Sequence, residues 1–186
     1  MGKVVVLGGN ARSGKTTLAF KLQKHGFNRI SFDLLNTYVN DGLKINFDNL
    51  DNETKFNLFE TVVNEAIKEA KEEDINIVID MYDYLPEDIN KLNNKNKLEV
   101  YFLAYPNCTK EEIKYNIIHY AKPTDWIAQV NEKYLNTCVD RFYERNGILL
   151  EKCKKYNIPL IDTKAGYDRD AVLEELFKKI ISKRQT

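Results

Sequence analysis

Gly9, Gly14, Lys15 and Thr16 stand at the spacing G-x-x-x-x-G-K-S/T inside the stretch VVVLGGNARSGKTTLAFKL, from Val4 to Leu22. The chemistry this spacing serves is the binding of a nucleoside triphosphate. A loop that wraps a phosphate must turn its backbone N–H groups inward, and glycine permits the turn because it has no Cβ to clash. In such a loop Lys15 reaches the β- and γ-phosphates as a point charge, and Thr16 offers its hydroxyl to Mg²⁺. The N-terminus of the following helix faces the anion with its positive dipole end. The expected nucleotide contacts are therefore Gly9, Asn10, Ala11, Arg12, Ser13, Gly14, Lys15, Thr16 and Thr17. An accidental glycine turn is the alternative, and the apolar strand before the loop and the helical pattern after it weigh against that.

The elements that must position these residues follow from hydrophobic periodicity. Lys3 to Gly8 is a continuous apolar run bounded by glycine, as in a strand buried on both faces of a parallel sheet. Leu18, Ala19 and Leu22 then share one helical face, and Gly26 suits that helix's C-terminus. Asn28 to Phe32 is the second expected strand, delivering Asp33 at its end, and Ile75 to Ile79 is the third, ending in Asp80. Carboxyl ends of such strands face the ligand crevice of an open α/β sheet, so both acids belong at the edge that carries the phosphate loop. Each acid can also be read as a simple strand terminus, with Asp33 capping a turn toward Asn36 or Thr37.

Between these strands, apolar residues from Phe56 to Ala70 recur at helical spacing and predict a long amphipathic helix over Asp51 to Lys71. Pro86, Glu87 and Asp88 open a short helix. Asn93 to Lys97 is a turn, and Leu98 to Ala104 is the fourth strand. Thr109 followed by Glu112 forms a capping box for a helix over Lys110 to Tyr120. After a break at Ala121 to Asp125, a second long pattern runs through Ile127, Val130, Tyr134, Cys138 and Phe142. Asn146 and Gly147 interrupt it, and it resumes from Ile148 to Tyr156. Ile158 to Ile161 is the fifth strand, and a helix from Ala171 to Ile181 closes the chain. Alternating strands and helices imply a parallel sheet covered on both faces.

The composition narrows the setting. The chain has 186 residues with 28 basic and 28 acidic side chains, so no overall field draws it to nucleic acid or an anionic membrane. Cys108, Cys138 and Cys153 are scattered and contain no C-x-x-C pair, which argues against a disulfide framework or a zinc site. No apolar run approaches the ~20 residues of a membrane span. A single cytoplasmic domain is the expectation, with no membrane contact and an open oligomeric state.

With the phosphate loop, Asp33 and Asp80 in place, the sequence resembles the P-loop kinases of small molecules, the adenylate kinase and shikimate kinase group. ISFDLLN is similar to the adenylate kinase segment in which an acid and two leucines precede an arginine. IVIDMYDYLP is similar to that family's third strand, which ends in D-G-F/Y-P-R. This resemblance implies a three-layer α/β/α fold with a five-stranded parallel sheet, order 2-3-1-4-5, and a helical lid at about residues 115–145. It implies ATP and Mg²⁺ as cofactors, Asp33 as the base that accepts a hydroxyl proton, and Asp80 with Thr16 at the metal. Lys122, Arg141 and Arg145 are the lid cations that could meet the transferring phosphoryl group beside Lys15, with Arg141 and Arg145 four apart on one helix face. Each arginine can instead pair with Glu144 or Glu151. Thr163, Lys164 and Ala165 occupy the place where relatives line the adenine pocket with backbone.

The sequence departs from the nucleotide kinases where they grip the acceptor's phosphate. Asn36 stands in the place of one arginine, and the Tyr82–Asp83 region supplies none. A small-molecule or nucleoside-type hydroxyl acceptor fits better. Asp83 is a weaker candidate for acceptor contact, and Trp126, Tyr82, Tyr84 and Tyr105 are candidates to stack on it. The other readings are a nucleoside monophosphate kinase with an atypical grip, a polynucleotide 5′-hydroxyl kinase, or an ATP-binding regulatory protein that transfers nothing. Neutral charge makes a nucleic-acid partner the poorer fit. NKLE at Asn96 lies before its strand, and no D-x-x-G follows Asp80, so a switch GTPase is disfavoured.

Overall fold

The computed structural model describes residues 2–121, 125–164 and 169–182, with Trp126 described in its backbone only. Its centre is β1 (Val4–Gly9), in which every residue is buried. Alternate side chains enter opposite cores: Val4 and Val6 join one, Val5 and Leu7 the other. This is the period of two expected when a strand is covered on both faces.

Parallel strands flank it: β2 (Phe27–Ser31), β3 (Asn76–Asp80), β4 (Leu98–Ala104) and β5 (Leu160–Asp162), in the order β2-β3-β1-β4-β5. The expected fold class and strand order are thus found. Leu7 pairs with Asp80, and Ser31 pairs with Asp80 from the other side. The register therefore brings the ends of β1, β2 and β3 to one edge.

One face is covered by α1 (Lys15–Gln23) and α7 (Arg169–Ser182), whose Leu18, Leu22, Leu173, Leu176 and Phe177 pack on Val5, Leu7 and Val78. The other is covered by α3 (Asn52–Glu72), by α4 (Pro86–Lys91) and by part of α6 (Glu132–Tyr156). Helix α3 buries Phe59, Val63, Ala66 and Ala70, a stripe at helical spacing, and its cap is Asp51, which accepts from the Thr54 N–H at 2.7 Å. Helix α5 (Lys110–Tyr120) starts with the expected box, in which the Glu112 N–H donates to Thr109 Oγ1 at 3.2 Å and the Thr109 N–H to Glu112 Oε2 at 2.7 Å. With the first half of α6 it encloses a third core around Tyr105, Ile113, Ile117, Leu135 and Val139. Among the described residues no helix is long and apolar enough to cross a membrane.

Three expectations shift. The second strand begins one residue earlier, and Phe32 and Asp33 open a short helix, α2 (Phe32–Thr37), followed by a π turn at Tyr38–Gly42. Asp33 therefore lies in the first turn of a helix just past the strand. Asn146 and Gly147 do not break α6, which runs unbroken for 25 residues, while Trp126–Gln129 form a separate 3-10 turn before it. The fifth strand starts at Leu160 instead of Ile158, since Ile158 directs its N–H to the Cys153 carbonyl at the end of α6.

Candidate active site

The loop between β1 and α1 is shaped by close backbone approach. Gly9 has φ 133°, and a Cβ there would lie 2.0 Å from the Leu103 carbonyl oxygen on the neighbouring strand. Gly14 has φ 94° and stands at the N-cap of α1 with no side chain capping the helix. The first-turn amides of α1 are thus left for an anion, the arrangement a phosphate requires. Thr16 and Thr17 are exposed at this end. Lys15 is buried, and its Nζ donates to the Asn10 carbonyl at 2.6 Å, closing the loop on itself. Ser13 Oγ donates to the same carbonyl at 2.8 Å. Burial pushes the Lys15 ammonium down to about 8, against the pull of Asp80 and Asp33.

The loop is also fastened from behind. Asn10 is fully buried, and its Nδ2 donates to the Phe142 carbonyl at 2.7 Å and to Asn146 Oδ1 at 2.8 Å. Asn146 in turn bonds the backbone of Tyr105 through both ends of its amide, and the Tyr105 hydroxyl donates to the Ala11 carbonyl at 2.9 Å. Asn10 therefore faces helix α6 with its side chain, while its backbone N–H donates to the Leu103 carbonyl at 2.9 Å. Arg12, at φ 59°, turns outward to Asp125 Oδ2 at 3.2 Å and to the Tyr120 carbonyl at 3.1 Å. It borders a cleft with Ile113, Ile117, Tyr120 and Arg169.

The acids gather where the register requires. Asp80 is 3% exposed, and its Oδ2 accepts from Arg29 Nη2 at 2.8 Å. The Asp33 carboxylate makes no hydrogen bond among the described residues; Thr37 bonds the Asp33 carbonyl instead. Partial burial, and then the charge of Asp80, hold the Asp33 carboxyl above its ordinary range. Asn36 turns away from Asp33 and donates to Asp83 Oδ2 at 2.6 Å.

Arg145 joins this group. It donates to the Tyr82 carbonyl and lies over the Tyr82 ring, 4.2 Å from its centroid, while Lys15 Nζ lies 5.7 Å from the same centroid. Burial lowers the Arg145 guanidinium, whose Nε is buried without a partner. Arg141 is exposed, and its charge is felt at Cys138 on its own helix. Neither arginine pairs with Glu144 or Glu151 among the described residues. The two expected lid cations therefore part company, because half-buried and exposed positions lie side by side along α6.

The remaining candidates divide in the same way. Tyr84 and Tyr105 are buried, Tyr84 stacking on Phe59 at 4.3 Å between centroids and donating to the Lys55 carbonyl. Of the three tyrosines Tyr82 lies with Lys15 and Arg145, while Tyr105 borders the cleft beside Arg12. Thr163 is buried, with its N–H and hydroxyl both bonded to the Ala104 carbonyl, and Lys164 follows at φ 49°. Lys122 and Ala165 lie outside the described residues, as does the Trp126 side chain.

Two polar residues at the site escape a reading of motifs. Arg29 sits in β2, whose sequence FNRIS is mostly polar and gives no signal, whereas Asn146 falls in the apolar stripe of α6 between Phe142 and Leu149. A polar side chain at a core register is the signal that could have found Asn146.

Hard oxygen donors fit a magnesium ion here. The Thr16 hydroxyl and the Asp80 oxygen not held by Arg29 are one of each kind, and no group of three His, Cys, Asp or Glu among the described residues forms a metal cage. Magnesium favours such a sparse set because it retains water and substrate phosphate oxygens.

No curated protein matches the sequence. Among solved structures, the fold matches a shikimate kinase from Acinetobacter baumannii in complex with shikimate, with TM-score 0.58 and 14% identity over 100% of this chain and 97% of that one. A shikimate kinase from Bacteroides thetaiotaomicron gives 0.55 and 17% over 97% and 99%. A gluconokinase from Sinorhizobium meliloti gives 0.50 and 14% over 97% and 95%. At these identities the likeness is one of fold. The model of the chloramphenicol phosphotransferase-like protein family matches residues 2–103. That stretch is more than half of the chain and contains the phosphate loop, Asp33 and Asp80, and the protein belongs to this family of P-loop kinases.

Proposed function

We propose that the protein transfers the γ-phosphate of ATP, with Mg²⁺, to a hydroxyl group of a small-molecule or nucleoside-type acceptor. The observation that carries this reading is an Asp33 carboxylate with no hydrogen bond among the described residues, in the field of Asp80, Lys15 and Arg29, with Arg145 meeting Lys15 at the Tyr82 ring. Lys15 holds the β- and γ-phosphates, and the uncapped amides of α1 bind their oxygens. Asp33 accepts the acceptor's hydroxyl proton as that oxygen bonds to phosphorus and the bond to the ADP oxygen breaks. Arg145 offsets charge on the equatorial phosphoryl oxygens. Bound magnesium, held by Thr16 and Asp80, would neutralise the triphosphate.

The acceptor side favours a hydroxyl over a phosphate. Asn36 is engaged by Asp83, and neither sequence position at which a nucleotide kinase carries its acceptor-gripping arginine holds one here. Residues 115–145 serve as the lid, tied to the loop through Arg12 and across its helices by the pairs Lys110–Asp140 and Lys114–Glu132, at 2.6 and 3.0 Å. The cleft beside Arg12 and the backbone at Thr163 and Lys164 take the base. The protein works in the cytoplasm on this reading.

The test is incubation with γ-labelled ATP, Mg²⁺ and pooled nucleosides, nucleotides, sugars, amino alcohols and a 5′-hydroxyl oligonucleotide. Label should pass to one pool of small hydroxyl compounds and vanish in Asp33→Asn. Tight ATP binding with no transfer to any pool would overturn the proposal in favour of a nucleotide-binding regulator.

A further inference from the structure

Arg29 lies on β2 in register with Val78, two residues short of the Asp80 pairing. Its side chain is 16% exposed and runs along the sheet edge, so that Nη2 meets Asp80 Oδ2 at 2.8 Å. On its other side the guanidinium lies over the Phe20 ring of α1, 4.4 Å from the centroid. Its Nε is buried with no hydrogen-bond partner. A buried donor left unmet carries a cost in stability. The residue thus bears an unsatisfied group while making one strong, charge-assisted contact, the one to Asp80.

That contact has two effects on the acid. One oxygen is fixed, which sets the plane of the carboxylate and leaves the other oxygen for the phosphate side. A full positive charge is also held against Asp80 before any ligand arrives. Asp33, Asp80 and Asp83 are then faced by Lys15, Arg29 and Arg145, so the site starts near electrical balance.

We propose that Arg29 is a positioning residue that holds Asp80 by one oxygen and weakens its attraction for the divalent cation, keeping the metal exchangeable with each nucleotide. This rests on the assignment of Asp80 to Mg²⁺ made above. Loss of Arg29 should tighten the metal while loosening the carboxylate's orientation, two changes that a general weakening of the site would not produce together.

The test measures the affinity of the whole protein for a non-hydrolysable ATP analogue by calorimetry, without and with Mg²⁺. The ratio of the two dissociation constants reports the metal's contribution, independent of turnover. In Arg29→Gln the ratio should rise roughly tenfold, as expected when one unit charge is removed a few ångströms from a divalent ion in a strongly screened site. Arg29→Met, which keeps a long chain over Phe20, should give the same rise and supplies the measurement if the glutamine variant does not fold. Arg29→Lys keeps the charge without the planar fork, so its ratio should stay within about threefold of wild type while kcat falls. In an Asp80→Asn background, Arg29→Gln should raise the ratio by less than it does when Asp80 is present.

An unchanged or smaller ratio in both neutral variants, with Asp80→Asn still lowering it, would overturn the role of Arg29 alone. If Asp80→Asn left the ratio as it is in wild type, the metal assignment beneath the proposal would fail and the proposal with it.

Discussion

The two sides of the cleft are built to different standards. On the donor side the phosphate loop is bonded to its own Asn10 carbonyl through Lys15 and Ser13, to β4, and to α6 through Asn10 and Asn146. On the side proposed for the acceptor, β2 gives way to the short α2 and a π turn, where Leu34 is 50%, Tyr38 61% and Leu43 68% exposed. A phosphate chain is the same in every reaction cycle and is bound by amides whose directions must be fixed beforehand. An acceptor brings its own shape, and its wall can stay open until it arrives. The difference teaches where, on the proposed function, acceptor specificity would lie: in the open half and not in the rigid one.

The sharpest way to break this division is to compare Lys15→Ala with Asp33→Asn. Lys15→Ala should lower transfer on the order of 10³-fold and weaken ATP binding with it. Asp33→Asn should lower transfer by roughly 10² to 10⁴ while ATP affinity, followed by calorimetry, stays near wild type. Equal losses of ATP affinity in the two variants would dissolve the boundary. Arg145 and Arg141 give a second contrast on one helix. Arg145→Ala should cost on the order of 10³ in kcat. Arg141→Ala should cost less than about threefold, as for an exposed charge; a large loss there would place the lid's acting cation at Arg141 instead.

The rigidity of the donor side is tested by Asn146→Leu, which takes one of the two acceptors from the Asn10 amide and leaves the Tyr105 N–H unmet. A loss of about 1–3 kcal/mol is expected, read as a fall of roughly 2–4 °C in Tm for each kcal/mol. An unchanged Tm would mean that the loop does not depend on α6.

A gentler probe is pH. The Lys15 value in the nucleotide-free protein is pushed down to about 8 from 10.5. Between those values the unfolded chain binds the proton and the folded one does not, so this residue's contribution makes stability rise with pH through that window. Nucleotide binding favours the charged form, so above pH 8 ATP affinity should fall and binding should take up a proton, seen as calorimetric heats that vary with the buffer. Lys15→Met should abolish that proton uptake. Smallest of all, Tyr38→Ser should move stability by no more than about 0.5 kcal/mol and show itself in the acceptor KM, with ATP affinity unchanged.

Much of this was legible in the sequence, and unevenly so. The strand β1, the long helix α3, the capping box of α5 and the acid at the end of β3 follow from local pattern, because burial on both faces or on one stripe leaves a period in the chain. The helix at Asp33 and the continuity of α6 did not. Phe32 reads as the end of a strand until its burial beside Phe59 and Tyr84 is seen, and an Asn-Gly pair reads as a break until Asn146 finds partners in the loop and at Tyr105 just past β4.

The sequence by itself determined the phosphate loop, the parallel α/β architecture and the placing of Asp33 and Asp80 at one edge, since spacing and periodicity are local properties. Only the tertiary structure decided which of two arginines four residues apart reaches Lys15, that Asn10 turns its side chain away from the phosphate, and that Arg29 answers Asp80. Those outcomes depend on which buried polar group finds a partner across 51 to 136 residues of chain, and no local pattern records that distance.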